Sequence, residues 1–351
     1  PLEPGGRTSR PPGFFQWYFF LLGEIRGGAP PSTFQEGLDL DLDTLWTDAG
    51  AAAWGTCAYS DLRSHMDTQA QTRAEALCPQ PAGVYVAAFP YYAGDQPGNL
   101  SRYARGENYH TALHRRLEQA AESLTALEPL HKFVPLVDNS PLPEGVAAGL
   151  AGLGLRGQNG LTILPPYGTW IFLGAILTDQ PLLSAEHPSP PCAQCGACVA
   201  ACPGKALGPN GLDPSKCLSD LTQRKGALTE EQQQQLRRHS LIWGCDICQE
   251  VCPYNRRVPT TPLPEFRTGL LSTLSPSDVE NFTRRQFQDA YPDRAFTWRG
   301  PGVLERNLKL KSEQEKAPGG VVKKKPAAGA VFLVGPFFAP PKKGPPRRRA
   351  P

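Results

Sequence analysis

The chain has 351 residues, enough for one large domain or two modest ones, and 40% hydrophobic content fits a globular core. Residues 317–351 hold eight Lys or Arg and no acid, so the overall +3 hides a body of 28 basic and 33 acidic side chains, a net −5. That balance excludes a globally basic nucleic-acid binder, and any such site has to be a local patch.

Residues 1–39 read as a poorly defined N-terminal extension. Its apolar run at 14–22 is far shorter than the roughly 18 residues that suggest a membrane span, so no membrane partner is expected. An α/β domain is expected over residues 40–185. Within it, residues 83–89 (GVYVAAF) form a short apolar run that reads as a buried strand. Tyr109, Leu113, Leu117, Ala120, Leu124 and Leu127 recur at spacings of three and four, one face of an amphipathic helix. Residues 133–137 give a second strand, with Pro135 placing it at an edge or bulge. Strand, helix, strand predicts a βαβ unit with Asp138 at the C-terminal end of its second strand, the edge where ligands collect in open α/β sheets. The Gly-rich passage at 149–160 resembles a phosphate-cradling loop only weakly, since no strand stands directly ahead of Gly152. Residues 161–164 and 170–177 read as two further strands.

The densest chemical signal lies in residues 186–260. Cys192, Cys195, Cys198 and Cys202 stand as Cys-x2-Cys-x2-Cys-x3-Cys-Pro; Cys245, Cys248 and Cys252 follow as Cys-x2-Cys-x3-Cys-Pro, with Cys217 between the runs. This is the spacing of a two-cluster ferredoxin, in which the Cys before Pro crosses to the other cluster. The rule assigns Cys192, Cys195, Cys198 and Cys252 to one [4Fe-4S] cluster, and Cys202, Cys217, Cys245 and Cys248 to the other. Zinc knuckles use paired cysteines and suit this run less well, and a disulfide framework suits a shorter secreted chain. Cys57 and Cys78 lack partners at motif spacing and read as buried apolar thiols. Thr229 with Gln232 predicts a capping box opening a helix over 230–238. A helix is expected around 276–290 in a C-terminal segment, 261–316, that packs back on the body. Residues 317–351 read as a disordered basic tail.

Several strings accompany the cysteines: SRYARGENYH (101–110), VDNSPLPE (137–144), AGLGLRGQN (151–159), YGTWIFLGAILTD (167–179), CLSDLT (217–222) and WGCDICQEVCPYN (243–255). Together they resemble the epoxyqueuosine reductase family, and most of all its shorter, reductase-like branch. The resemblance covers about residues 40–310. It implies an α+β/α/β fold, with a cobalamin-binding α/β domain followed by a two-[4Fe-4S] ferredoxin-like module. It also implies reduction of epoxyqueuosine to queuosine in tRNA, as a cytoplasmic and monomeric enzyme. Electrons would come from an external ferredoxin or flavodoxin.

By the same resemblance Asp138 is the general acid, which requires its carboxyl to be protonated near neutral pH through burial; otherwise it caps a helix starting near Ser140. Asn159, Thr169, Phe172 and Leu173 would face the corrin. Ser219, Thr222, Gly244 and Asp246 would lie near it or between it and the proximal cluster. Arg102, Arg105, Tyr109 and His110 form an aromatic and basic group suited to a flipped-out modified base and its phosphates. Gln158 stands where the family carries Lys, and nothing after Leu310 can supply the helical-repeat domain with which longer members grip tRNA. The rival readings are a corrinoid reductive dehalogenase and a plain electron carrier.

Overall fold

The computed structural model describes residues 36–316 apart from residue 210, so the apolar run at 14–22 and the tail at 317–351 lie outside the described residues. Its centre is a four-stranded sheet of β1 (Ala53–Ala58), β2 (Gly83–Pro90), β3 (Phe133–Leu136) and β4 (Ile171–Thr178), in spatial order β1-β2-β4-β3. All eight residues of β2 are buried. β2 pairs antiparallel with β4 from Gly83↔Thr178 to Pro90↔Ile171, and β3 pairs antiparallel with the other side of β4. The expected βαβ unit is therefore split. β2 and β3 run parallel but are separated by a strand from later in the chain, so the sheet is not the open parallel sheet expected. Strand order depends on long-range pairing, and the local pattern of 83–137 does not contain it. Pro135 is tolerated because β3 is an edge strand with one neighbour only.

Helix α1 (Tyr109–Leu127) crosses one face of the sheet. Its buried Leu113, Leu117 and Leu124 meet Tyr85, Phe89, Phe133 and Ile176. Gly174 lets α1 approach, since a Cβ there would stand 2.7 Å from Leu117 Cδ1. Truncating any of these leucines to Ala is expected to cost about 2–5 kcal/mol. Helix α2 (Glu144–Leu150) covers the other face, packing Ala147 and Ala148 against Val84, Val86, Ala175 and Leu177. Cys57 and Cys78 are fully buried in the same layer.

The Gly-rich passage forms no phosphate loop. It folds into a short hairpin, Leu155–Arg156 against Thr162–Ile163, with no helix opening after Gly157. Two short helices, α3 (Ala197–Ala201) and α4 (Leu218–Gln223), lie in the cysteine-rich region, and a third, α5 (Ile247–Glu250), packs on α3. The capping box of Thr229 and Gln232 opens the helix Glu230–Arg237. Instead of one helix over 276–290 there are a 3-10 turn, Pro276–Asp278, and a helix, Arg284–Ala290. Asn281 between them has φ 63°, a left-handed backbone that no α-helix continues through. The chain then closes with α6 (Pro301–Lys316), whose Leu304 joins Leu100, Trp243, Phe287 and Phe296 in a separate core. Among the described residues no helix is long and apolar enough to cross a membrane.

Candidate iron–sulfur centre and its neighbouring acid corner

Cys192, Cys195, Cys198 and Cys252 line one small cavity together. The thiol of Cys252 has Cys198, Cys192 and Cys195 as its charged neighbours. Cys245 faces Cys248 and Cys217, while Cys248 faces Cys217, Cys202 and also Cys198. Members of each group proposed by the crossover rule thus lie within electrostatic reach of one another, and Cys198 is also within reach of Cys248. Among the described residues no group of three Cys, His, Asp or Glu side chains closes on a single-ion centre.

Backbone and side-chain donors converge on the same thiols. Gln158 N donates to Cys192 Sγ at 3.4 Å and Ala206 N to Cys202 Sγ at 3.2 Å. Burial pushes the thiols of Cys245 and Cys248 up to about 12. Such thiols stay protonated by themselves and ionise when iron supplies the compensating charge. Asn159 is 6% exposed, and its Nδ2 is buried without a hydrogen-bond partner. It stands close enough to Cys248 to pull that thiol down slightly. That proximity falls short of a formed hydrogen bond, so the amide is a donor left over beside the sulfur. The residues fit the clusters.

Asp138 lies at the end of β3 in a separate corner. It accepts hydrogen bonds from Tyr109 Oη and, at 3.2 Å, pairs with His110 Nε2; Asn139 N donates to its other oxygen at 2.8 Å. Asn108 fixes this arrangement from the sequence upward, because its side chain caps α1 and so sets where Tyr109 and His110 begin the helix. Asp138 and Asn139 both carry positive φ, 41° and 38°, a strained pair held by these contacts. The helix-cap alternative fails: α2 begins at Glu144 after Pro143, and Asp138 caps nothing.

The expected protonated Asp138 is also corrected. The bond from His110, with those from Tyr109 and Asn139, outweighs burial and holds this carboxyl well below the usual range, as a carboxylate. The proton-holding group is a neighbour that the sequence reading missed. Glu144, the first residue of α2, is pushed up to about 7, first by desolvation and then by the charge of Asp138. Ser140 Oγ stands 3.4 Å from its Oε1. Its presence in VDNSPLPE was visible in the sequence, but its approach to Asp138 depends on the loop's left-handed turn.

Other expected positions separate into support and surface. Arg105 is buried, donating Nε to Leu100 O and Nη1 to Gln96 O. Arg102 is paired with Asp95, Asp246 and Glu250 and lies over the Trp170 ring. Neither arginine is free for substrate phosphates, because turning them outward would leave buried acceptors and Asp246 unpaired. Tyr109 and His110 remain half-buried beside Asp138.

Phe172 and Leu173 do not share a wall. Neighbours on a strand face opposite ways, so Phe172 stacks between Tyr91 and Tyr109 while Leu173 packs on the α2 side. Thr169 is engaged inside, donating to Gln249 Oε1 at 2.9 Å and accepting from Asn255 at 2.7 Å. Thr222 accepts from Gly244 N at 2.8 Å, and Asp246 accepts from Ser101 Oγ at 2.5 Å. Between the acid corner and Cys245 lie the half-buried Tyr109, Tyr103 and Ser219 and the buried Gly244. Tyr103 meets Tyr109 edge-on at 6.0 Å and rests on Gly244, where a Cβ would stand 2.7 Å from its Cε1. These aromatic edges and faces offer apolar surface for a macrocycle to rest on, and Thr222 fixes Gly244 from behind.

Fold and thiols together define a mixed α/β protein carrying a 4Fe-4S double cluster binding domain, whose family profile matches residues 191–255. A second profile, epoxyqueuosine reductase QueG, DUF1730, matches residues 72–139. Among similar proteins, the epoxyqueuosine reductase of Gloeobacter violaceus is 32% identical over 66% of this chain and 78% of its own length. That of Lactococcus garvieae is 33% identical over 63% of this chain and 65% of its own, and that of Listeria monocytogenes 36% over 61% and 56%. The chain belongs to the epoxyqueuosine reductase family. It spans between about half and two thirds of the length of the Lactococcus and Listeria relatives. The structure of epoxyqueuosine reductase from Streptococcus thermophilus superimposes with a TM-score of 0.67 at 24% identity, covering 78% of this chain and 80% of that one. An epoxyqueuosine reductase solved with an epoxyqueuosine-modified tRNA stem loop matches equally, with TM-score 0.67, 24% identity and coverage of 78% and 80%.

Proposed function

We propose that the chain is an iron–sulfur and cobalamin-dependent reductase that converts epoxyqueuosine in tRNA to queuosine. The observation that carries this reading is the pair of four-thiol groups within a family member, one of them joined through Tyr103 and Tyr109 to the Asp138 corner. The clusters would be held by Cys192, Cys195, Cys198 and Cys252, and by Cys202, Cys217, Cys245 and Cys248. Cobalamin would lie on the strip of Tyr103, Tyr109, Ser219 and Gly244, and when bound it supplies the redox chemistry at the epoxide carbon.

Opening and removing the epoxide takes two electrons and two protons, leaving a carbon–carbon double bond and one water. The electrons come singly from a reduced external carrier through the clusters. The protons fall to this chain's own residues. Asp138 faces the substrate as a carboxylate, with Tyr109 and His110 fixing its orientation. Glu144 behind it, its proton affinity raised to near neutral, passes a proton to Asp138 for delivery to the departing oxygen, and reprotonation of Glu144 from water supplies the second proton. Two carboxyls whose surroundings drive their proton affinities apart are the usual arrangement for divided acid–base roles.

Anaerobic reconstitution should load about eight irons per chain, corrin absorption should appear on adding cobalamin, and the loaded protein should reduce epoxyqueuosine in tRNA. Iron saturating near four, or no turnover with both cofactors present, overturns the reading.

A further inference from the structure

The two thiol groups differ in their access to solvent. Cys195 is exposed, whereas Cys202, Cys217, Cys245 and Cys248 are all part-buried and Cys245 adjoins the Tyr103 strip. The solvent-facing side of the thiols is therefore the cavity of Cys195, and Cys198 is the thiol of that group within electrostatic reach of Cys248. The rim of that cavity is built from two segments stitched together where Tyr254 Oη accepts from Ala193 N at 3.3 Å. Residues 187–212 and 251–264 contain no Asp or Glu and carry Lys205, Arg256 and Arg257.

Arg256 and Arg257 are exposed, directly after Cys252 and Pro253, and their guanidinium groups have no hydrogen bond or ion pair among the described residues. Arg257 is held in a left-handed backbone, φ 59°. Val251, beside Cys252, is 38% exposed. The nearest acid in sequence, Glu250, is tied to Arg102 at 2.9 Å. Against a body of net −5, such a patch is a place where an acidic protein is attracted rather than repelled.

We propose that the face formed by Ala193, Gln194, Cys195, Val251, Arg256 and Arg257 docks an acidic one-electron carrier protein, with its reduced centre against the outer cluster. The step moves one electron from the carrier to the oxidised cluster, oxidising one and reducing the other, with no proton or bond changed. A small apolar contact ringed by unpaired cations suits a brief electron-transfer encounter, where charge sets the association rate more than the affinity. This inference rests on the two-cluster reading but not on the tRNA substrate.

The test is stopped-flow bleaching of the cluster absorption in the full, reconstituted chain, using a reduced acidic flavodoxin at low and high salt, with dithionite as a small reductant. In the double variant Arg256→Glu and Arg257→Glu the second-order rate with flavodoxin should fall at least tenfold at low salt and lose its salt dependence. Iron content and the dithionite rate should stay at wild-type values. Arg256→Gln with Arg257→Gln, which removes the charge without reversing it, should fall in between. A wild-type flavodoxin rate in either variant, or a wild-type rate indifferent to salt, overturns the docking face. Wild-type protein that takes up iron for only one cluster overturns the two-cluster reading as well, and the iron assay identifies that failure separately.

Discussion

Asp138 and Glu144 carry opposite pH signatures. Asp138 is depressed in the folded state, so its contribution to stability is present above the ordinary carboxylate range and fades as pH falls below about 4. Glu144 is raised to about 7, so the folded chain binds its proton more tightly than the unfolded chain does. Stability should therefore decline as pH rises from about 4.3 through 7, and the penalty is complete above that. Glu144→Gln removes the titration. Urea unfolding at pH 5 and pH 8 should show the variant gaining on the wild type only at the higher pH, while its epoxide turnover is lost. Asp138→Asn keeps the loop's size but cannot relay a proton, and general acid catalysis contributes about 10²–10⁴-fold. Single-turnover reduction should fall by that order with cluster content intact. Full activity in the Asn variant would remove Asp138 from the proton path.

At the scale of elements, what was legible in the sequence was whatever is local. The α1 stripe from Tyr109 to Leu127, the buried run of β2 and the capping box at Thr229 follow from periodicity and side-chain capping alone. The cysteine spacing also proposes a spatial grouping, because the crossover rule encodes one. The insertion of β4 between β2 and β3, the internal pairing of Arg102 and the approach of Glu144 to Asp138 were not legible. Each depends on contacts between residues far apart in the chain or on a backbone turn with no propensity signal.

Asn307 on α6 is fully buried and donates its Nδ2 to Thr222 O and Ile242 O at 2.8 Å each. These bonds tie the C-terminal helix to the segment before Cys245. Asn307→Ala strands two buried carbonyls and should cost about 2–4 kcal/mol, measurable by urea unfolding, with iron lost first from the cluster of Cys245. Cys217→Ala should damage the same cluster while the set around Cys252 keeps its iron, leaving about half the absorption.

For the whole molecule the question is where the proposed tRNA substrate would gain its hold. The body is acidic by five charges, and the aromatic strip beside Asp138 offers stacking more than charge, since Arg102 and Arg105 are engaged inside. Eight positive charges lie instead in residues 317–351. Such a segment contributes affinity through release of counterions from RNA phosphates, which falls steeply with salt and carries no sequence preference. Truncation after Lys316 removes none of the cluster thiols, Asp138 or Glu144, so iron loading and corrin binding should be unchanged. Binding to a tRNA anticodon stem loop should weaken, and the slope of log affinity against log salt should flatten. Turnover at saturating substrate should stay near the wild-type value, because the reacting groups are untouched. If truncation instead lowers iron content or unfolds the chain, the tail is part of the packed structure and the charge argument fails.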